Sequence, residues 1–499
     1  MKKLLVLTLA LLLCLGLLSA CGGDAATTPT SDNTTDPTSG GEDPTDNPPA
    51  EVAEIVWQQI GGMPSNVDKV VAAMNDYTRD KIGVVIKELR FFDWGDYDKS
   101  IQTLLTTGGD YDITFIHTRF YNGAVLNNQL MNIAPYLSSV PALKSFIPDQ
   151  VWQGVTNGGA VYGVPTYKDS AMTQYVAFDK AMVDKYDIDI NSIKSLQDLD
   201  PILRKIKTGE EAESGGTVYP LPLIKEGLHY VLMYQDPNTW VRYDDATGTC
   251  SNYFETDTQL KADLELLHKW WEDGIINPDA STKEEADKYR ICYVWQAFPG
   301  AAASETADKG YEIVIAPMSI TLFSNDSIQG SINAISPNCK NPEAALKYLE
   351  LVNTDPKLRN MFAFGMPDED WTDNGDGTIT RIPDNAWTAP AYSQATFFVM
   401  SPVAPNSPEQ WSMVKEEQDK GIAHVMLGFA LDTGGADGFE SEKVQVDAVI
   451  EKYRPELLTG AYQGSTADYL AKLTAELKAA GLDKVLTETQ KQVDAFMGR

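Results

Sequence analysis

The side chains that could do chemistry in this 499-residue chain are few and scattered. Four histidines occur, His117, His229, His268 and His424, and none sits in an HExxH helix; no GxSxG turn raises a serine, and no glycine loop is built to cradle phosphate. His117 ends an apolar strand pattern and is the only one of the four placed where a ligand could meet an imidazole. His268 falls on an amphipathic helix pattern and reads as a surface residue. The run Asp373-Asn374-Gly375-Asp376-Gly377-Thr378-Ile379 suggests a calcium loop. With Gly377 in the sixth position, however, Thr372 stands first and Pro383 twelfth, so both terminal carboxylates are missing and an Asp-Gly hairpin is expected. Asp93, Asp96 and Asp98 form an acidic cluster. A glycosidase would need one carboxyl with a raised pKa and a partner at fixed separation, and the cluster reads instead as solvated loop carboxylates or acceptors for hydroxyl groups. Neither a metal site nor a cofactor is predicted.

Aromatic residues are the stronger signal. Ten Trp and 22 Tyr are ample for a pocket in which flat apolar faces stack on sugar C–H groups while carboxylates and amides take the hydroxyls. Trp57, Phe92, Trp94, Tyr167, Trp240, Trp295 and Trp387 are the candidates. Core packing is the default for each, and about two or three are expected to reach ligand.

The elements that must position them follow from periodicity. Glu51 to Trp57 reads as a strand, Val67 to Ile82 as a helix, Val84 to Ile86 as a strand, Tyr97 to Leu105 as a helix, and Ile113 to Ile116 as a strand. That alternation is the grammar of a doubly wound sheet, in which ligands sit beyond the carboxyl ends of the strands. The loops so indicated are Gln58 to Ser65, Phe91 to Asp96 and His117 to Tyr121. Further on, residues 157–166 predict a hairpin turned on Gly158 and Gly159, and Leu260, Leu264, Leu267 and Trp271 share one helix face that Gly274 ends. Asn341 caps a helix with Pro342 in its first position, and Asp355 and Pro356 start another that ends at Gly365. Residues 467–480 and 484–496 predict two closing helices.

The front of the chain indicates the compartment. Lys2 and Lys3, the apolar run Leu4 to Leu18, and Leu18-Ser19-Ala20-Cys21 fit a bacterial lipoprotein signal, so residues 1–20 are predicted to be removed and Cys21 to carry lipid. More than one acyl chain would hold the protein on the outer face of the cell membrane. Residues 21–50, rich in Thr, Asp, Pro and Gly, read as a disordered linker. Loss of Lys2 and Lys3 takes the net charge from −31 to −33, which opposes nucleic acid as a partner and disfavours a strongly anionic ligand. Cys250, Cys292 and Cys339 remain, an odd number without CxxC spacing, and read as buried free thiols.

Several phrases then carry a family likeness over nearly the whole mature chain: residues 96–116, 127–137, 157–166, 177–189, 264–279 and 336–366. In this order they resemble the family 1 extracellular solute-binding proteins of bacterial ABC importers. Residues 386–392, 428–433, 449–462 and 477–496 resemble a subgroup of LipO-type lipoproteins with a C-terminal domain of uncharacterised function. The stretch 289–298, Tyr-Arg-Ile-Cys-Tyr-Val-Trp-Gln-Ala-Phe, departs from the Gly-Lys-Ala-Ala type of turn that relatives have there. The resemblance implies an α/β, two-lobed periplasmic-binding-protein-like (type II) fold with an interlobe hinge and additional C-terminal helices. The expected partition is 51–170 with 329–400 in the N-terminal lobe, 171–328 in the C-terminal lobe, and 401–499 packing on the lobes. It implies a monomer that captures a small neutral solute, a carbohydrate or oligosaccharide, and passes it to ABC permease subunits. Asp96, His117, Lys168 and Tyr234 join the aromatic candidates as ligand contacts. A surface-anchored glycan hydrolase, a binder of peptides or amino-acid-like ligands, and a sensor without a transport role are the competing readings.

Overall fold

A computed structural model describes residues 52–499; the predicted signal peptide, Cys21 and the linker to Ala50 lie outside the described residues. The chain begins with β1 (Ala53–Ile60), α1 (Val67–Ile82), β2 (Val84–Phe92), α2 (Tyr97–Thr107), β3 (Ile113–Ile116) and α3 (Thr118–Leu126). Gly83 and Gly108 end α1 and α2 in the left-handed region, where the absence of a Cβ removes the steric cost. β2 and β3 both run parallel to β1, as helical crossovers require. β4 (Val164–Pro165) closes the far edge of this sheet.

A second, smaller sheet is built from β5 (Thr173–Asp179), β6 (Cys292–Ala297) and β7 (Ile313–Pro317), in the order β6-β5-β7 with both pairings antiparallel. Between β5 and β6 lie α4 (Leu196–Ser214) and α5 (Thr258–Glu272). Asp257 caps α5, its carboxylate accepting from the Leu260 amide at 3.0 Å. After the short helix α6 (Asn325–Gln329), β8 (Ile332–Ile335) returns to the first sheet antiparallel to β3 and β4, completing the order β2-β1-β3-β8-β4. α7 (Pro342–Thr354) and α8 (Pro356–Phe364) follow. Asn341 and Asp355 accept from backbone amides at their starts, and Gly365 caps the second at φ +83°. The chain ends in α9 (Phe439–Thr459), α10 (Thr466–Ala479) and α11 (Leu482–Phe496).

Two large apolar cores lie under the two sheets. The first draws on residues from Ile55 to Ala171 and from Phe323 to Leu427; the second draws on Val176 to Met318 and Phe439 to Val485. The chain therefore passes between cores after Ala171, after Met318 and after Leu427. α9 to α11 belong to the second core. Leu228 N donates to Leu458 O at 2.7 Å, and a Cβ on Gly227 or Gly460 would stand 2.5 Å from the carbonyl of Leu458 or Leu267. Backbone thus meets backbone where α9 docks.

The Gly158-Gly159 hairpin forms, with both glycines at positive φ, and Cys250, Cys292 and Cys339 are free thiols. Residues 371–381 form the Asp-Gly hairpin. There Asp373 and Asp376 spend their carboxylates on the amides of Gly375 and Thr378. His268, expected at the surface, is instead buried beneath the C-terminal helices. Its ring nitrogens lie 2.7 and 2.9 Å from the Gly460 and Gly464 carbonyls, and the ring stacks 4.2 Å from that of Tyr462. Trp270, rather than Trp271, is the fully buried tryptophan of α5.

Candidate functional site

A cavity of about 540 Å³ opens between the two lobes, walled by β5, β6, the segment Pro222–Asn238 and α9 on the side of the second core and by α6 and His424 on the side of the first. Its aromatic face comes from β6. Pairing with β5 places Trp295 opposite Tyr175 and Tyr293 opposite Ala177. Because strand side chains alternate, Tyr293 and Trp295 share one face, with ring centroids 4.9 Å apart. Arg290, just before the strand, lays its guanidinium 3.8 Å from the Tyr293 centroid. No carboxylate pairs with it among the described residues, and its Nε is buried without a hydrogen-bond partner.

The polar face is mixed. Asp236 caps the next turn, accepting from the Asn238 and Thr239 amides at 2.7 and 3.1 Å, and its burial raises its pKa. Asp326 on α6 accepts from Thr118 Oγ1 at 3.1 Å, and burial and the neighbouring Asp236 raise its pKa in turn. The Ser324–Ser327 capping box fixes the turn that carries it. His424 accepts from the Met426 amide through Nδ1 at 3.0 Å, so its proton sits on Nε2; burial lowers its pKa to about 4 and keeps it neutral. Gln174, Asn238 and Gln296 add amides to the lining. Donors, acceptors and the half-buried Trp295 ring, backed by the buried Tyr293, around one volume suit a polyhydroxylated ligand. Among the described residues no group of three or more His, Cys, Asp or Glu side chains could hold a metal ion.

Of the residues singled out from sequence, only Trp295 lines this cavity. Trp57, Tyr167, Trp240 and Trp387 are corrected to core residues. Trp57 is 0 % exposed, packs on Phe362 and Tyr348, and donates to Asn333 Oδ1 at 3.2 Å. Its strand is central in a sheet covered on both faces, which leaves no open side for a large ring. Trp240 stacks on Tyr253 at 4.7 Å, Tyr167 packs on Phe398 at 4.5 Å, and Trp387 donates to the Phe362 carbonyl at 3.0 Å. Phe92 is half-buried against the first core. Lys168 is held by Asp169 at 2.5 Å, and Tyr234 packs with Tyr230 and Tyr243 outside the cavity wall.

Trp94 and His117 form a separate group in the first lobe, near Asp96, which is exposed at the start of α2. Trp94 is 41 % exposed. Its Nε1 donates to Tyr392 Oη at 2.9 Å, and its ring meets Tyr97, Phe115 and His117 edge-on at 5.2 to 6.0 Å. His117 has its pKa lowered, first by burial and then by Arg119. Thr118 beside it reaches Asp326, so this group adjoins the cavity through one hydrogen bond. Sequence reasoning missed Asp236, Arg290, Tyr293, Asp326, His424 and Arg454. The departure from the family pattern at 289–298 was the one signal, and it marks the stretch that carries Arg290, Tyr293 and Trp295.

Residues 425–498 match the family described as a domain of unknown function, DUF3502. Over 465 residues the chain is 26 % identical to a carbohydrate ABC transporter substrate-binding protein of Streptococcus pneumoniae, covering 89 % of this chain and 91 % of that one. The fold overlays on the N-glycan transport solute binding protein NgtS of Streptococcus pneumoniae with a TM-score of 0.77 at 24 % identity, over 90 % of this chain and 99 % of the other. The complex of NgtS with Man1GlcNAc overlays at 0.67, 23 % identity and 90 % and 100 % coverage. The chain thus has the two-lobed type II fold of extracellular solute-binding proteins, and its residues 425–498 match the DUF3502 family.

Proposed function

We propose that this protein captures an oligosaccharide between its lobes and delivers it to an ABC permease, held at the outer face of the cell membrane by lipid on Cys21. The observation that carries the reading is the cavity beside β6, where the half-buried Trp295 shares one lining with Arg290, Asp236 and Asn238. A stacking face with surrounding donors and acceptors matches the apolar face and the hydroxyl edge of a sugar ring. The relatives support it, since one is described as a carbohydrate substrate-binding protein and another as an N-glycan binder. The fall in overlay from 0.77 to 0.67 on passing to the Man1GlcNAc complex is what a lobe rotation around ligand would produce.

The test is titration calorimetry of the mature chain against mannose- and N-acetylglucosamine-containing oligosaccharides, with each sugar recovered and analysed afterwards. Binding with every sugar recovered intact is the expected result. Cleavage would replace this reading with hydrolysis, and binding of peptides alone would refute the carbohydrate assignment. Cys21→Ala is expected to move the protein out of the membrane fraction.

A further inference from the structure

The C-terminal helices are covered by a family description that assigns them no role. In this chain they form part of the cavity wall, because Ile450 and Arg454 on α9 both line it. Their placement follows from the helix repeat. Ile450, Arg454 and Leu458 stand at i, i+4 and i+8 and share a face, and Leu458 is pinned to the second lobe through its carbonyl at Gly227 and Leu228. Arg454 is only loosely engaged there, 3.4 Å from Glu451 and 3.5 Å from His229 Nδ1. Its guanidinium therefore retains donors for a ligand, and Arg290, with no carboxylate partner among the described residues, supplies a second guanidinium in the same cavity. Arginine offers five donors in a fixed planar fork and no acceptor, so it selects a ligand face rich in oxygen acceptors. Ile450 adds an apolar contact beside it.

We propose that the C-terminal domain builds a subsite for one sugar unit of the bound oligosaccharide, with Ile450 against the ring and Arg454, aided by Arg290, donating to its oxygen atoms. The inference rests on the carbohydrate-binding reading above. Neutral hydroxyl or amide oxygens and a sugar carboxylate present the same acceptor chemistry, and the two sources separate by experiment. The mature chain is titrated with a mannose-based disaccharide, with a branched oligomannose glycan, and with an oligosaccharide ending in a uronic acid. Arg454→Met keeps the aliphatic stem and removes the donors; Ile450→Thr tests the apolar contact independently. Lys452→Met, on the same helix but bonded to Glu476, serves as control. At least tenfold weaker binding of one or more probes by Arg454→Met, with unchanged affinity in the control and a preserved melting temperature, is expected. A loss confined to the uronate identifies carboxylate as the acceptor, and a loss with the neutral glycans identifies hydroxyl or amide oxygens. Wild-type affinity in both Arg454→Met and Ile450→Thr for every probe overturns the subsite while leaving carbohydrate capture standing. A wild-type chain that binds none of the three overturns both.

Discussion

Replacing Trp295 with Ala separates binding from folding in one variant. The ring is half-buried, 4.9 Å from Tyr293 and 6.4 Å from Tyr175, and it lines the cavity. Truncating an aromatic that anchors a ligand costs about 2 kcal/mol or more. At about 1.4 kcal/mol per decade, that is roughly a 30-fold rise in Kd. The stability cost is smaller than for a core tryptophan. A fully buried Trp loses about 3–5 kcal/mol on truncation to Ala, and a ring with only part of its surface packed forfeits roughly half of that. Trp240, 1 % exposed and stacked on Tyr253, supplies the comparison with the full penalty. Calorimetric titration and a melting curve on each variant give the two axes. Trp295→Ala should lose affinity with a modest drop in melting temperature, and Trp240→Ala should lose mainly stability. Unchanged affinity in Trp295→Ala would show that the cavity beside β6 is not where the sugar stacks.

His424 makes stability depend on pH. Its folded pKa of about 4 lies below the ordinary histidine value, because burial disfavours the cation. Its contribution is therefore complete above about pH 6.5 and lost as the pH falls through 4, a difference of up to about 3 kcal/mol. Urea unfolding at pH 7 and pH 4.5 should show a smaller loss for His424→Asn than for the wild type, and an equal loss would refute the assignment. Gly460→Ala forces a Cβ to 2.5 Å from the Leu267 carbonyl at φ +70°. It should lower the melting temperature by several degrees and make α9 to α11 more sensitive to limited proteolysis, and wild-type behaviour would mean that the backbone contact gives way freely. Trp94→Ala should weaken oligosaccharide binding about tenfold and reduce the compaction measured by small-angle scattering when ligand is added. Full compaction at wild-type affinity would remove Trp94 from the ligand path.

Much of the scaffold was legible because local signals agreed. Periodicity, left-handed glycines and capping residues fixed β1 to β3 and the helices between them, and Asn341-Pro342 and Asp355-Pro356 marked the starts of α7 and α8. The candidate site was much less legible, for two physical reasons. An aromatic at the end of a strand has the same local pattern whether it faces solvent or a covering helix. Trp57 and Trp94 both follow apolar strand residues, yet α7 and α8 put Tyr348 and Phe362 on the first and leave the second open. The cavity wall is also assembled from segments far apart in sequence. Arg290, Asp326, His424 and Arg454 meet only because the chain passes repeatedly between the two cores. His268 carries the same lesson, since an amphipathic position reads as exposed until helices almost two hundred residues later cover it.

The division of groups between the lobes constrains how binding could drive closure. A sugar held only by second-lobe groups would bind equally well with the lobes apart or together, and equal affinity shifts no equilibrium however tight it is. Taking a two-state balance from 1:99 to 99:1 needs about 5.5 kcal/mol of differential affinity. At about 2 kcal/mol for each well-placed anchor, that is the work of two or three contacts made only in the closed form. The first lobe offers such contacts in the cavity wall itself, from Asp326 and His424, and beside it in the Trp94 group. Trp94 is exposed, and its orientation is already fixed by Tyr392 and by three edge-on aromatic neighbours, so little side-chain entropy remains to be lost. Arg119 lies 6.0 Å from its ring and Thr118 holds Asp326, which carries the path from this group into the cavity. The second lobe with its C-terminal helices is therefore suited to select the sugar, and Asp326, His424 and the Trp94 group of the first lobe to convert its presence into closure.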